Sequence, residues 1–112
     1  MKEFLMVFRS TGMGDFKPTP EQIKATEKQW VDWFGTFASR NAGGSRPGPD
    51  GKTVRAGNVV TDGPYAEIKE ILMGTTVVTA DAIEEVIEIA KGCPILLVGG
   101  TVEVRSLIVM DM

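Results

Sequence analysis

The residues of this sequence best suited to acid–base chemistry lie in one polar segment that starts at Asp62. Asp62 precedes Gly63, Pro64 and Tyr65, a turn-forming combination in which an aspartate side chain commonly bonds nearby backbone N–H groups. The same carboxylate, held at the mouth of a cleft, could instead serve as a general base or anchor a ligand. Both interpretations stay open, and in the functional one Asp62 is the catalytic candidate.

Charged residues of both signs follow in the same segment. Glu67, Lys69 and Glu70 alternate in charge, a pattern typical of a solvated surface with weak ion pairs. Alternatively they form the polar rim of a pocket, in which Lys69 binds an anion or a carbonyl oxygen. Tyr65 adds an aromatic ring with a polar hydroxyl beside the loop. We therefore predict Tyr65, Glu67 and Lys69 as ligand-binding residues.

A second charged group is predicted on strands far apart in the chain. Glu103 and Arg105 share one face of the last predicted strand, and Arg9 ends the first. An exposed pair of this kind contributes little to stability. If that face meets a partner, the pair lines a cleft in which Arg105 binds an anionic substrate, and Arg9 can join it.

The sequence contains no histidine. A Ser–His–Asp triad, a Cys–His pair and a His-rich metal site are therefore excluded within one chain. Acid–base chemistry must rely on Asp, Glu, Lys, Tyr or a bound cofactor. The spacing of Asp62, Glu67 and Glu70 matches no known ligand motif, so we predict no metal site and no cofactor. Cys93 is predicted as a small buried hydrophobic residue at a helix end rather than a nucleophile.

Length and composition favour one globular domain spanning residues 1–112, with 43% hydrophobic and 24% charged residues. The net charge of −3 and the lack of a dense Lys/Arg run argue against a nucleic-acid partner. The apolar start, Met1 to Phe8, is too short for a signal sequence or a membrane span. A lone cysteine permits no intramolecular disulfide. We therefore expect a cytoplasmic protein with no membrane partner.

The first half of the chain predicts a strand followed by a helix. Lys2–Arg9 is predicted as a strand with apolar residues on both faces. Thr19, Pro20 and Gln22 predict a capped helix start, and the helix is expected to run to about Arg40. Its aromatic stripe is predicted to pack in the core rather than to floor a ligand pocket. The stripe consists of Ile23, Trp30, Trp33, Phe34 and Phe37.

The middle of the chain predicts a small hairpin and a long strand. Pro47–Gly51 carries a strong turn signal, and Lys52–Ala56 is predicted as the second arm of that hairpin. Ile71–Thr79 is rich in β-branched residues and is predicted as a strand, with Gly74 marking a bulge or a close backbone approach.

A second helix and a last strand complete the predicted pattern. Asp81 is predicted to cap the helix, with Glu84 completing a capping box. Gly92 and Pro94 are predicted to stop it. Val102–Val109 alternates as a strand.

The element order predicts an α+β domain with a ferredoxin-like βαββαβ arrangement and an antiparallel sheet. Two helices can cover only one face of such a sheet, while the apolar pattern of the first strand calls for cover on both. We therefore expect a homodimer that buries the open sheet face.

Over nearly its whole length the chain resembles the YCII-related (YciI-like) family. The resemblance rests on Asp62–Glu70, Leu72–Gly74, Cys93–Pro94 and Val102–Arg105. It is narrower for the branch named after an Asp-Gly-Pro-Phe motif, in which Tyr65 takes the place of the Phe. The resemblance implies a subunit whose sheet packs on a partner's sheet as a dimeric α/β barrel. Some relatives have a His–Asp pair that is proposed to be catalytic. This chain lacks histidine, so that pair cannot be assigned to it.

Two functions from different classes follow from the sequence and the resemblance. In the first, the protein binds a small aromatic or anionic molecule in a cleft near the Asp62 loop, with lyase-like or hydrolase-like acid–base chemistry. In the second, it is a non-catalytic regulatory or protein-interaction module linked to transcription, because some relatives are associated with sigma factors. The second would be favoured by Trp30 or Trp33 pointing outward.

Overall fold

The structure, a computed structural model, describes residues 1–10, 18–48, 50–62 and 71–108, apart from the side chain of Asp62. Its helices and strands are α1 (Pro20–Thr36), α2 (Ile83–Ala90), β1 (Lys2–Ser10), β2 (Asn41–Ser45), β3 (Lys52–Arg55), β4 (Val59–Asp62), β5 (Ile71–Ala80) and β6 (Thr101–Ser106). Short 3₁₀ turns follow the two helices at Ala38–Arg40 and Pro94–Val98.

Four strands form one antiparallel sheet in the order β2-β5-β1-β6, and β3 pairs with β4 in a separate hairpin. The predicted α+β class and antiparallel sheet are confirmed. With two helices, this order is compatible with a ferredoxin-like fold, into which the hairpin is inserted between β2 and β5. The long-range pairs bring the two ends of the chain together: β1 lies between β5 and β6.

The core lies between the two helices and one face of the sheet. Side chains alternate along β1, and every second one, from Phe4 through Met6 to Phe8, is buried against the helices. From β5, Val78 joins them, and Val86 of α2 is fully buried. The predicted core role of the aromatic stripe is confirmed for most of its members, whereas Ile23 is 44% exposed.

The start of α1 is confirmed as predicted. The hydroxyl of Thr19 accepts a hydrogen bond from the Gln22 backbone N–H at 3.2 Å, and the Gln22 side chain accepts from the Thr19 N–H at 2.8 Å. The α-helix ends at Thr36, however, and not near Arg40. The N–H of Phe37 bonds the Phe34 carbonyl, which tightens the chain into the 3₁₀ turn that follows.

The hairpin differs from its prediction. Lys52–Arg55 is the first arm rather than the second, because it pairs with Val59–Asp62 downstream. The turn lies between these strands, where Gly57 and Asn58 both adopt positive φ (81° and 62°). Glycine and asparagine tolerate this left-handed backbone better than other residues, so the short Gly-Asn pair competes successfully with the proline-rich segment as the hairpin turn.

The predicted cap of α2 is also wrong in detail. The capping position is Ala82, which makes no side-chain capping bond, so Asp81 and Glu84 do not form a capping box. Glu85 bonds the chain before the helix instead. Its carboxylate accepts a hydrogen bond from the Asp81 backbone N–H at 3.2 Å and forms an ion pair with Arg40 at 3.3 Å. The helix therefore starts one residue later than predicted. The ion pair with Arg40 links it to the 3₁₀ turn that follows α1.

The bulge expected near Gly74 is confirmed. The register between β1 and β5 shifts between Phe8 and Arg9, opposite Gly74 and Leu72. A Cβ atom at Gly74 would lie 3.1 Å from the Ser45 carbonyl oxygen, so the backbones also approach closely here. The last strand is shorter than predicted: it ends at Ser106, and Val109 lies outside the described residues.

Candidate functional site

An apolar strip runs along the sheet face that no described helix covers. Leu5 of β1 pairs directly with Val77 of β5, and both side chains are half-buried. Val7, on the same face, is only 7% exposed, and its cross-strand neighbours are Thr75 on β5 and Glu103 on β6. The strip is bordered on the β6 side by charged residues, and these form the most chemically capable cluster of this face.

Three charged side chains meet at this border. Glu103 lies opposite Val7 in the register of β1 and β6, so its side chain points to the same face as Arg9. One of its oxygens accepts from Arg9 Nη1 at 2.8 Å, and the other accepts from Arg105 Nη1 at 3.2 Å. The strand pairing thus joins residues 94 positions apart in the chain into one cluster, which we call the Arg9–Glu103–Arg105 cluster.

The cluster has a surplus of positive charge, since two guanidinium groups share one carboxylate. The side chains of Arg9 and Glu103 are 35% and 41% exposed and that of Arg105 is 70% exposed. Ion pairs with this much solvent exposure contribute only about 0–1 kcal/mol to the stability of the fold. A guanidinium, however, presents five N–H donors in a planar fork that suits carboxylates and phosphates. The arrangement can therefore bind an anion, with Glu103 orienting both arginines.

A shallow cleft of about 460 Å³ lies elsewhere, between α1 and the edge strand β2. It is lined by Phe34, Gly35, Ala38, Asn41, Gly43 and Gly44. None of these lining residues is ionisable, so the cleft offers space without charge. The hydroxyl of Thr76, beside the cleft, can donate either to Asn41 Oδ1 at 3.1 Å or to the Gly43 carbonyl at 3.2 Å. Either bond anchors the edge strand.

The structure describes the side chains of only some of the predicted site residues. Arg9, Glu103 and Arg105 come together as the sequence predicted. Asp62 ends β4 opposite Lys52, and its side chain is outside the described part of the structure. The predicted ligand-binding residues Tyr65, Glu67 and Lys69 also lie outside the described residues.

Sequence reasoning missed the cleft beside β2. Its signal was present in the pair Gly43 and Gly44, which resembled loop sequence but belongs to a strand. A Cβ atom at Gly44 would lie 3.0 Å from the Thr75 carbonyl oxygen, so this strand needs glycine to approach β5 closely.

The two tryptophans lie at the core. Trp33 is 6% exposed, and its Nε1–H donates to the Ile89 carbonyl at 2.9 Å. Trp30 packs edge-to-face on Phe8 with ring centroids 5.2 Å apart. Neither indole supplies the outward-facing aromatic surface that would favour the interaction-module alternative.

Cys93 is buried in the core at 2% exposure, directly before the second 3₁₀ turn. Burial raises the pKa of its thiol to about 11, because the apolar surroundings disfavour the thiolate. The expected burial is confirmed, and a thiol that stays protonated and inaccessible near neutral pH is a poor nucleophile.

The raised pKa of Cys93 predicts a stability loss at alkaline pH. The folded state holds the thiol proton more tightly than the unfolded chain, whose pKa is near 9.0. The stabilisation is therefore complete below pH 9 and is lost as the pH rises toward 11, by about 2–3 kcal/mol. Urea unfolding at pH 8, 9, 10 and 11 measures it. Cys93→Ala cannot titrate here and serves as the control; parallel pH dependences of the two proteins would contradict the assignment.

Among residues 1–10, 18–48, 50–62 and 71–108, no three His, Cys, Asp or Glu side chains are gathered closely enough to hold a metal ion. Within the same residues, no helix combines the length and the apolar character needed to cross a membrane.

Comparison with known proteins identifies a family for most of the chain. Residues 42–111 match the model of the YCII-related domain. This stretch runs from the second residue of β2 through β6 and includes both the Asp62 segment and the Glu103–Arg105 pair. No curated protein matches the chain.

Proposed function

Since the chain belongs to the YCII-related domain family, we propose that it binds a small anionic molecule, carboxylate or phosphate in character. The binding place is the sheet face opposite the two helices, where the Arg9–Glu103–Arg105 cluster borders the apolar strip of Leu5, Val7 and Val77. A ligand with one anionic end and one apolar or aromatic part suits that combination.

The observation that carries this proposal is the sharing of one carboxylate by two guanidinium groups. A structural ion pair needs only one arginine for one glutamate. The second arginine, Arg105, leaves a net positive charge on a mostly exposed side chain. An incoming anion gains charge-assisted hydrogen bonds there, which are stronger than hydrogen bonds between neutral groups.

The proposal includes a homodimer in which two copies pack through the sheet faces opposite their helices, as a dimeric α/β barrel. The apolar strip supports it, because Leu5 and Val77 would otherwise remain partly in water. Packing would also bring the arginine cluster into a drier environment. Electrostatic attraction to an anion is stronger there than at an open surface.

We further propose that the segment from Asp62 to Glu70 contributes to the same binding place on the sheet face, and that its Asp-Gly-Pro-Tyr sequence marks the Asp-Gly-Pro-Phe branch of the family. Chain connectivity supports this location: the segment leads into Ile71, which pairs with Ser10, the residue after Arg9. In this proposal Asp62 accepts a proton in lyase-like or hydrolase-like chemistry. Tyr65, Glu67 and Lys69 contact the ligand.

Anion binding is tested by two substitutions with opposite expected effects. Titration calorimetry with benzoate and with inorganic phosphate is expected to show binding of at least one of them by the wild-type protein. Arg105→Gln should weaken that binding about 10-fold, since it removes the surplus charge. Glu103→Gln should strengthen it, because the amide keeps a hydrogen-bond acceptor for the arginines while the competing negative charge is gone.

The matched control is Lys28→Gln, which removes one positive charge from an exposed i,i+4 pair with Asp32 on α1. It should leave anion binding unchanged. Damage to the fold would weaken binding in every variant, so only opposite signs at positions 105 and 103 support the site. Equal affinities of wild type, Arg105→Gln and Lys28→Gln would exclude it.

A further inference from the structure

The cleft between α1 and β2 is walled by residues with little or no side chain. Gly35 and Ala38 line it on the helical side, and Gly43 and Gly44 line it on the strand side. A Cβ atom built on Gly35 meets nothing within 4 Å beyond its chain neighbours and the backbone of its own helix, so open space lies beside this part of α1. The volume of about 460 Å³ falls within the range of about 300–1,000 Å³ that is usual for small-molecule sites.

An aromatic ring forms the apolar part of the cleft. Phe34 lines the cleft and is half-buried, so part of its ring stays accessible. The ring packs against those of Trp33 and Phe37, with centroids 5.1 and 5.6 Å away, and these neighbours hold it in place. A ring fixed in this way favours a flat aromatic ligand, because offset and edge-to-face aromatic contacts are favourable beyond the area that they bury.

The polar group of the cleft is the side-chain amide of Asn41, and its orientation is fixed. Its Oδ1 accepts a hydrogen bond from the Gly43 backbone N–H at 2.9 Å and lies 3.1 Å from the Thr76 hydroxyl. A backbone N–H can bond only an acceptor, so the oxygen must be the atom turned toward the strands. The backbone N–H of Asn41 donates to the Ala38 carbonyl, which ties the residue to the helical wall as well.

The amide nitrogen of Asn41 remains as a donor for a ligand. Within the described part of the chain, Nδ2 has no hydrogen-bond partner. It carries two N–H groups, and because the oxygen of the same amide is engaged, a ligand in the cleft meets donors and not an acceptor. A carbonyl oxygen or a ring nitrogen on the ligand suits these donors.

The electrostatics of the cleft disfavour an anion. None of the lining residues is ionisable, and the cleft lies at the C-terminal end of α1, where the helix dipole places partial negative charge. The last turn of α1 contains no basic residue to offset that charge. The Gly35 carbonyl is one of the last four of the helix, which lack partners inside it. Such oxygens accept hydrogen bonds from an uncharged N–H group and repel a carboxylate.

We propose that this cleft binds an uncharged aromatic amide. The ring of the ligand packs on Phe34, its carbonyl oxygen accepts from Asn41 Nδ2–H, and its own N–H faces the carbonyl oxygens at the end of α1. The site is independent of the proposed anion site, because it lies on the helix side of the sheet and has a different charge preference. The two sites therefore discriminate between benzamide and benzoate, which have nearly the same shape and differ in charge.

Two-dimensional amide NMR of the full, isotopically labelled chain tests the cleft, with benzamide as the probe and benzoate as the matched ligand. Benzamide should shift the backbone amide signals of Gly35, Gly43 and Gly44 with a Kd in the millimolar range, as expected for so small a ligand. Benzoate at the same concentrations should leave these three signals in place.

Two substitutions test the two walls of the site. Asn41→Asp keeps the acceptor that anchors β2 but removes the amide donors, and it should raise the Kd for benzamide about 10-fold. Turning the ligand's amide over does not compensate, because its oxygen would then face the carbonyls of α1. Gly35→Leu fills the open space and should abolish the shifts of Gly43 and Gly44. Gln29→Leu, at an exposed position of α1 that does not line the cleft, is its matched control and should bind benzamide like wild type.

The same spectra show whether each variant keeps its fold, since the amide signals of β1 and α2 lie far from both substitutions. An unchanged Kd for benzamide in Asn41→Asp and Gly35→Leu would overturn the proposal. So would benzamide shifts confined to β6, or wild-type cleft signals that benzamide does not move. None of these results bears on the anion site, which is judged separately by calorimetry of Arg105→Gln.

Discussion

Replacement of Trp33 by alanine is expected to lower the free energy of unfolding by about 3–5 kcal/mol, the largest effect of any single substitution considered for this protein. The indole is 6% exposed and lies at the centre of an aromatic cluster. Its ring centroid is 4.8 Å from that of Phe37, 5.1 Å from Phe34 and 5.7 Å from both Phe8 and Trp30. Truncation leaves a cavity that these rings can fill only in part.

The loss at Trp33 has a polar component as well. Its Nε1–H is the donor to the Ile89 carbonyl near the end of α2, so the substitution also removes a bond between the two helices. Trp33→Phe keeps most of the aromatic contacts but not this bond and should lie between wild type and Trp33→Ala.

Urea unfolding at one protein concentration measures both effects. Val31→Ala, two residues earlier on the exposed side of the same helix, should change the free energy of unfolding by no more than about 0.5 kcal/mol. An unfolding midpoint of Trp33→Ala equal to that of Val31→Ala would show that the cluster is not the core of the fold.

Substitution of Gly100 by alanine is expected to destabilise the protein by about 3 kcal/mol and to disturb the arginine cluster. A Cβ atom at this position would lie 2.7 Å from the Arg9 carbonyl oxygen and 2.9 Å from the Ile95 carbonyl oxygen, and it would also collide with the Ile95 side chain. Backbone atoms cannot rotate away as a flexible side chain can. The strand β6, which begins at the next residue, must therefore shift relative to β1.

That shift has a functional readout. Since β6 carries Glu103 and β1 carries Arg9, their 2.8 Å ion pair depends on the register that Gly100 permits. Gly100→Ala should weaken anion binding in calorimetry in addition to lowering the unfolding midpoint.

Gly35→Ala is the matched control for Gly100→Ala. Apart from its chain neighbours and the backbone of its own helix, no atom lies within 4 Å of the position its Cβ would take, and the residue is helical. It should stabilise the protein by about 0.5 kcal/mol, because alanine favours a helix more than glycine does. If the two glycine variants unfold at the same urea concentration, the close approach at Gly100 does not constrain the strand.

Local patterns predicted most of the fold correctly. The Thr19–Gln22 capping box, the helical spacing of Trp33 and Phe37 and the bulge at Gly74 each depend on residues close in sequence, and each is found. The misassigned elements involve competition between local signals. At the hairpin, the Gly57-Asn58 turn prevailed over the proline-rich turn because its backbone matches the strand twist better.

The candidate site could be predicted only in part. Alternation along the last strand predicted that Glu103 and Arg105 share a face, and topology suggested Arg9 as their neighbour. The assignment of each guanidinium to a different oxygen of Glu103 depends on the β1–β6 register, which no local pattern encodes. The cap of α2 was missed for the same reason, since Glu85 is engaged by the distant Arg40.

The two outer strands of the sheet have a consequence for aggregation. Exposed strand edges are templates on which other chains can add strands and grow into cross-β fibres. Here one edge, β2, is short, interrupted between Asn41 and Gly44 and built only of small and polar residues. The opposite edge, β6, carries the charges of Glu103 and Arg105. Both edges therefore discourage the addition of a further strand.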